Sequence, residues 1–262
     1  MISIQTVSLL LGLIVGSFLN VCIYRLPRSI SIVSPPSACP ICKSPVKPWD
    51  NVPLLSYLIL GGNCRNCNES IALRYPLVEL LNGLLYLAVV SVFGVGWHIL
   101  FLLMLVSALV VITFIDLDFQ IIPDSITIPG IVIGLLSASF LLPDPFSVHH
   151  SAQAFSIVGF RNSLIGLISG GGLFYLIAVL SRGGMGGGDI KMMAMVGAFM
   201  GWKSIFLTTF IGSLTGSVVG IFLMITKKKG RKAKIPFGPF LAIGSLVTLF
   251  FGNSILKWYF QR

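Results

Sequence analysis

Residues 98–116 read HILFLLMLVSALVVITFID, and the two ionisable side chains of that run, His98 and Asp116, stand at its ends. At about 1.5 Å of rise per residue, a helix needs about 20 apolar residues to cross a hydrocarbon core about 30 Å thick. A continuous apolar run, as opposed to an alternating one, predicts a membrane-spanning helix and not a barrel strand. The pattern recurs along the 262 residues. Further spans are predicted at 3–24, 76–95, 125–142, 158–181, 190–202, 204–226 and 236–256. The expected fold class is therefore an all-α polytopic membrane helix bundle of about eight spans. The stretch 190–202 is short and runs into the next at Gly201-Trp202-Lys203, which suggests a tilted or re-entrant segment. Composition agrees: 55% of residues are hydrophobic, 10% are charged, and the mean hydropathy is +0.96. A soluble domain carries about 25% charged residues, so soluble and disordered classes are excluded.

The net charge of +10 would suggest nucleic acid in a soluble protein. Here the positions of the charges matter first, because basic loops orient a membrane chain. With eight spans and the N-terminus outside, 14 Lys and Arg fall on the cytoplasmic side and four (Arg161, Lys203, Lys257, Arg262) on the other. The basic run Lys227–Lys234 then reads as a topogenic, lipid-facing loop. Residues 1–22 hold no Lys or Arg, and a signal peptide needs a basic start; the segment reads as a retained anchor helix. The polar stretch 143–157, with His149 and His150, reads as a solvated outer loop. His98 reads as an interfacial residue.

Four of the five cysteines lie in the one long hydrophilic stretch, as Cys39-Pro-Ile-Cys42 and Cys64-Arg-Asn-Cys67, with 21 residues between the pairs. Two thiolates separated by two residues bind one tetrahedral ion from a single turn. Two such turns complete a closed four-sulfur zinc site. A loop of this size buries little apolar area, so a metal would stabilise it. Disulfides are disfavoured in a reducing cytosol, and an iron–sulfur cluster remains the redox alternative. A closed site has no catalytic position, so these cysteines are assigned structure. Cys22, alone in the first span, reads as packed.

The chain has eight acids: Asp50, Glu69, Glu79, Asp116, Asp118, Asp124, Asp144 and Asp189. Five of them lie at or near membrane boundaries, where an ionisable group is a functional candidate. Two spans separate Asp116 from Asp189, which returns the chain to the same face although the two are 73 residues apart in sequence. Asp189 follows Gly183-Gly184-Met185-Gly186-Gly187-Gly188, a run that permits close backbone approach and starts a helix. Two neighbouring carboxyls, one ionised and one protonated, activate water. Asp118 is two residues from Asp116, about 200° around a helix, so the two cannot share a face. Asp124, after Pro123, reads as a helix N-cap. Residue chemistry alone leaves open which of Asp116, Asp118 and Asp124 partners Asp189. Glu79 either snorkels to pair with Arg74 or Arg25, or serves function. Asn20 reads as interhelical glue and Arg25 as an interface anchor. Met185, Met192, Met193, Met195 and Met200 read as packing, and Gly212, Gly216 and Gly220 as a close-packing helix face.

Several of these segments together resemble the type IV prepilin peptidases, in the family's order over nearly the whole chain. They are Gly16-Ser17-Phe18-Leu19-Asn20-Val21-Cys22-Ile23-Tyr24-Arg25, the paired cysteine knuckles, Arg74-Tyr75-Pro76-Leu77-Val78-Glu79, Ile115-Asp116 through Ile122-Pro123-Asp124, Gly186-Gly187-Gly188-Asp189-Ile190-Lys191, and Ile235-Pro236-Phe237-Gly238-Pro239-Phe240. The resemblance implies a membrane aspartic endopeptidase of the GxGD type that removes the basic leader of prepilins and pseudopilins at the inner face of the bacterial inner membrane. By motif it makes Asp116 and Asp189 the catalytic pair, with Gly186, Gly188 and Glu79 in support. It also implies N-methylation of the new N-terminus with S-adenosylmethionine. That activity belongs to the N-terminal part, where Asn20 and Arg25 are the methyl-transfer candidates. The outer loop 143–157 is long for the family. The expected domains are a first span at 1–24, a zinc module at 25–75 and a peptidase bundle at 76–262. The principal alternative is a proton- or metal-coupled transporter, which would hold its acids at midplane depth. A structural subunit of a secretion machine is another.

Overall fold

The computed structural model describes residues 3–148, 155–181, 184–226 and 235–260. His149, His150 and the Lys227–Lys234 run lie outside them. Among the described residues every regular element is helical. The helices are α1 (Ile4–Arg25), α2 (Leu55–Ile59), α3 (Arg74–Phe93), α4 (His98–Phe119), α5 (Asp124–Ala138), α6 (Phe160–Leu180), α7 (Gly187–Met200), α8 (Trp202–Ile225) and α9 (Gly238–Phe260). Six of them (α1, α3, α4, α6, α8 and α9) are long and apolar enough to cross a membrane, and α5 is a shorter apolar helix. The chain is a multi-pass membrane protein. The two predicted spans that fall short have local causes. At 15 residues α5 is about 22 Å long, and Pro129 interrupts its backbone ladder. The 14 residues of α7 end at Gly201, whose φ of +77° caps α7 and starts α8 without a linker.

The chain divides into two compact units, Met1–Ser91 and Val92–Arg262. In the first, α1 and α3 meet through small residues. A Cβ on Gly16 would lie 2.7 Å from the Cα of Glu79, and one on Gly12 would lie 2.8 Å from the Cα of Gly83. The Asn82 amide donates to the Gly12 carbonyl at 2.7 Å, and the Asn20 amide to the Tyr75 carbonyl at 3.1 Å. Close backbone approach joined by side-chain amides is the usual way to pack helices in lipid, where burial from water gives no drive. Gly16→Leu is expected to cost about 1–3 kcal/mol by overpacking, read as a lower melting temperature in detergent.

In the second unit α7 is the central element, packed against α5, α6, α8 and α9. Residues 192–200 are all buried, so the methionines there are packing residues, as expected. Gly166 on α6 and Gly197 on α7 cross backbone to backbone. Gly212 and Gly216 seat α8 against Phe240 of α9. His98 opens α4, its Nε2 lying 3.1 Å from the Phe93 carbonyl.

Candidate active site and metal centre

The acids separate by burial. Asp116 (5% exposed) and Asp189 (9%) are buried, whereas Asp118 lies on the exposed side of α4. The half-turn between Asp116 and Asp118 forces that division. Asp116 stands three residues before the end of α4, which terminates at Gln120 in the left-handed region. Asp189 is the third residue of α7. Both therefore lie near helix ends and not at mid-helix.

Two contacts bring their segments together. Ile122, in the turn after Asp116, packs on Gly188, where a Cβ would lie 2.8 Å from the Ile122 Cβ and 3.3 Å from its N. The backbone that the glycine run admits at this point is thus the chain's own. Next to it, Lys191 Nζ donates to both carboxylate oxygens of Asp124 at 2.7 Å. Asp124 is not the N-cap expected from sequence. Pro123 holds that position in an extended conformation, and Asp124 is the first helical residue. Its carboxylate is taken by Lys191, whereas Asp116 and Asp189 are both buried.

Each acid is oriented by a backbone amide. The Gly186 N–H donates to Asp189 Oδ2 at 3.3 Å, so the N3 carboxylate reaches back to the N-cap amide of its own helix. The Gly238 N–H donates to Asp116 Oδ2 at 2.9 Å from 122 residues away. Gly238 is a site residue whose individual role sequence reasoning missed. A Cβ there would lie 2.7 Å from Asp116 Oδ2. The available signal was Gly238 standing between Phe237 and Pro239 at the start of a span, but no spacing rule connects it to Asp116.

In the first unit, Glu79 (9% exposed) pairs differently from the sequence expectation. Its Oε2 accepts the Leu54 N–H at 2.9 Å. Arg25 instead donates to the Ser31 and Pro35 carbonyls at 2.8 and 2.7 Å. Its guanidinium is thus spent on folding the loop back onto the end of α1.

The four cysteines form one cluster. All four Sγ atoms lie within 4.8 Å of one another, with Cys39–Cys67 at 3.8 Å and Cys42–Cys64 at 4.0 Å. A tetrahedron with metal–sulfur bonds of about 2.3 Å has edges of about 3.8 Å, so the sulfurs fit a closed four-thiolate ion. The two knuckles repeat each other. Lys43 N–H donates to the Cys39 carbonyl at 3.0 Å, and Asn68 N–H to the Cys64 carbonyl at 2.9 Å. Lys43 (φ 59°) and Asn68 (φ 58°) turn the chain in the left-handed region. Ala38 bridges Pro45 just as Asn63 bridges Ser70. Each turn thereby aims two sulfurs the same way.

The electrostatics ask for a cation. The Ser44 hydroxyl, 2.9 Å from Cys42 Sγ, holds that thiol down to about 6. The Glu69 backbone favours the Cys67 thiolate, but desolvation and the neighbouring sulfurs outweigh it and push this thiol up to about 12. Four thiolates cannot share so small a space without a compensating positive ion. Behind the second knuckle, Arg65 grips Asp50 through Nε at 2.9–3.0 Å and Nη2 at 2.6 Å. That guanidinium holds the Asp50 carboxyl below the usual carboxylate range. Cys22, by contrast, is buried in α1 and packed, as expected.

Comparison with known proteins agrees with these motifs. Residues 10–93 match the bacterial peptidase A24 N-terminal domain, and residues 103–221 match the type IV leader peptidase family. A "prepilin leader peptidase/N-methyltransferase" of Pseudomonas aeruginosa is 36% identical, covering 97% of this chain and 92% of its own length. Proteins of the same name are 38% identical in Stutzerimonas stutzeri (97% of this chain, 93% of theirs) and 35% identical in Neisseria gonorrhoeae (94% and 90%). No solved structure gives a significant match.

Proposed function

The chain belongs to the type IV leader peptidase family, and we propose that it is an aspartic endopeptidase. On this reading it cleaves the basic leader from type IV prepilins and pseudopilins at the cytoplasmic face of the bacterial inner membrane and N-methylates the new N-terminus. The observation that carries this is the convergence of Asp116 and Asp189. They come from motifs 73 residues apart, both are buried, and each is held by a backbone N–H. Their positions near helix ends favour hydrolysis at a membrane rim over a midplane proton relay.

In the proposed reaction one carboxylate removes a proton from water as the oxygen attacks the leader-junction carbonyl. The other, protonated, carboxyl donates to the carbonyl oxygen. Collapse of the tetrahedral species breaks the C–N bond, with the proton passing to the leaving amine. Gly186 and Gly188 support the pair, the first through its N–H and the second by admitting Ile122. Glu79 is proposed as a support residue of the enzyme, and within the N-terminal unit it anchors the cysteine module through the Leu54 N–H. That module, at 25–75, is proposed to hold structural Zn2+ on Cys39, Cys42, Cys64 and Cys67, with no open position for chemistry. Methyl transfer uses S-adenosylmethionine, which supplies the methyl group. Asn20 and Arg25 each give part of their donor capacity to backbone carbonyls of the N-terminal unit and keep further N–H groups, so they are proposed both to position this unit and as the methyl-transfer candidates.

Purified protein incubated with a prepilin, with and without S-adenosylmethionine, tests both activities by mass spectrometry. Loss of the leader in both samples and a mass gain of one methyl in the first are expected. An intact prepilin would refute the peptidase reading. Gly238→Ala is expected to lower cleavage by about 10²-fold, because a displaced Asp116 carboxylate loses its attack geometry. Quantifying product by mass spectrometry checks this, with metal content unchanged.

A further inference from the structure

The segment between the two cysteine knuckles carries a strained turn and an uncovered apolar surface. Leu54 has φ 58° and ψ −48°, and the Leu55 N–H donates to the Pro53 carbonyl at 2.6 Å. This is a γ-turn of the positive-φ kind, rare and costly for a residue with a side chain. The Glu79 carboxylate stabilises it by accepting the Leu54 N–H. Immediately after the turn comes α2, whose Leu55, Leu58 and Ile59 are 57%, 73% and 78% exposed. Its inward residue, Ser56, donates to the Trp49 carbonyl at 2.9 Å. Hydrophobic side chains held outward by a backbone under strain call for a covering.

The depth of the contact says what covers them. Glu79 is five residues into α3, about 7.5 Å along its axis from Arg74. On α1 the level of Glu79 is marked by Gly16, against which its Cα packs, and Gly16 is nine residues, about 13.5 Å, from Arg25. The Glu79 Cα therefore lies inside the ends of both helices, and its side chain, leaning toward the α3 N-terminus, meets Leu54 between that level and the Arg74 end. At the level of Glu79, Leu77 and Leu80 of α3 are exposed, 55% and 41%, as the apolar face of a membrane helix is. The charge of the surroundings agrees. Residues 25–75 carry six Lys and Arg against two acids, and this excess of cations outlasts the two negative charges a four-thiolate zinc site would add, which suits anionic headgroups.

We infer that Leu55, Leu58 and Ile59 form an interfacial anchor that inserts into the headgroup–acyl boundary of anionic lipid on the module's side of the membrane, held there by the Glu79–Leu54 hydrogen bond. The partner is the lipid leaflet itself, met in the manner of a short monotopic element. The inference is independent of the proposed peptidase and methyltransferase activities.

The test uses the full-length wild-type chain in nanodiscs of phosphatidylethanolamine and phosphatidylglycerol. The phosphatidylglycerol carries a photoactivatable diazirine on its acyl chain. Photolabelling of the peptide spanning residues 52–60, alongside the membrane helices, is the expected result. A second readout places a tryptophan by Leu58→Trp or Ile59→Trp in a chain whose Trp49, Trp97, Trp202 and Trp258 are phenylalanine. Blue-shifted emission quenched by acyl-brominated phosphatidylglycerol is expected. An unlabelled 52–60 peptide, or unquenched emission of a water-exposed tryptophan, would overturn the inference. So would a blue shift that arises only when a leader-bearing prepilin peptide is added, because the surface would then belong to the substrate. Leader cleavage plays no part in either readout.

Discussion

Asp189→Asn is expected to lower leader cleavage by about 10⁴-fold or more, and Asp116→Asn by a similar factor. A neutral amide at either position removes the base or the acid of the pair, and each proton-transfer role alone is typically worth about 10²–10⁴-fold. Members of one catalytic unit fall together, so the double variant is expected to be no worse than either single one. The substitutions are nearly isosteric. The Gly238 and Gly186 amides retain an oxygen acceptor in each case, so folding and metal content should be unchanged. Cleavage of a purified prepilin, followed by mass spectrometry over long incubation, checks this. The same geometry gives Lys191 a positioning role. Lys191→Met releases Asp124 and is expected to lower cleavage less than either Asp variant.

The second large effect concerns the cysteines. Cys64→Ser is expected to abolish stoichiometric metal binding and unfold the segment between α1 and α3. Metal binding at a closed four-thiolate site contributes about 10–16 kcal/mol in small zinc peptides, far more than the exposed residues of this module gain by packing. Methylation is expected to fail before cleavage, because α4 to α9 form a compact unit of their own. Metal analysis by mass spectrometry, paired with separate assays of leader removal and methyl incorporation, reads all three. A chelator strong enough to remove the ion should reproduce the variant. Asp50→Asn, which loses the Arg65 clamp, should speed metal release without changing the stoichiometry.

How much of this was legible in the sequence depends on whether a local rule carried it. The C-x2-C spacing fixes two sulfurs per turn, so the four-cysteine cluster was readable before its geometry. Long apolar runs gave the six long helices. The short α5 and α7 were less legible, because Pro129 and Gly201 cut helices at points where hydropathy continues. An even number of crossings put Asp116 and Asp189 on one face in the sequence, which makes the proposed pairing possible without selecting it. Choosing Asp116 over Asp124 needed either family likeness or the Lys191 ion pair, which no spacing rule foretells. Gly238 and Leu54 were the least legible. Each acts through a backbone N–H on a distant carboxylate, and a backbone donor leaves little trace in residue identity.

The central claim is that Asp116 and Asp189 act on a single tetrahedral carbon. Its most direct test is the binding of a leader-junction peptide whose scissile carbonyl is replaced by a secondary alcohol, mimicking that carbon. Calorimetry on the wild-type protein and on the two single Asn variants is expected to show tight binding by the first. Each variant should bind at least about 10²-fold more weakly, as befits a transition-state mimic. Equal affinity in all three proteins would contradict the account.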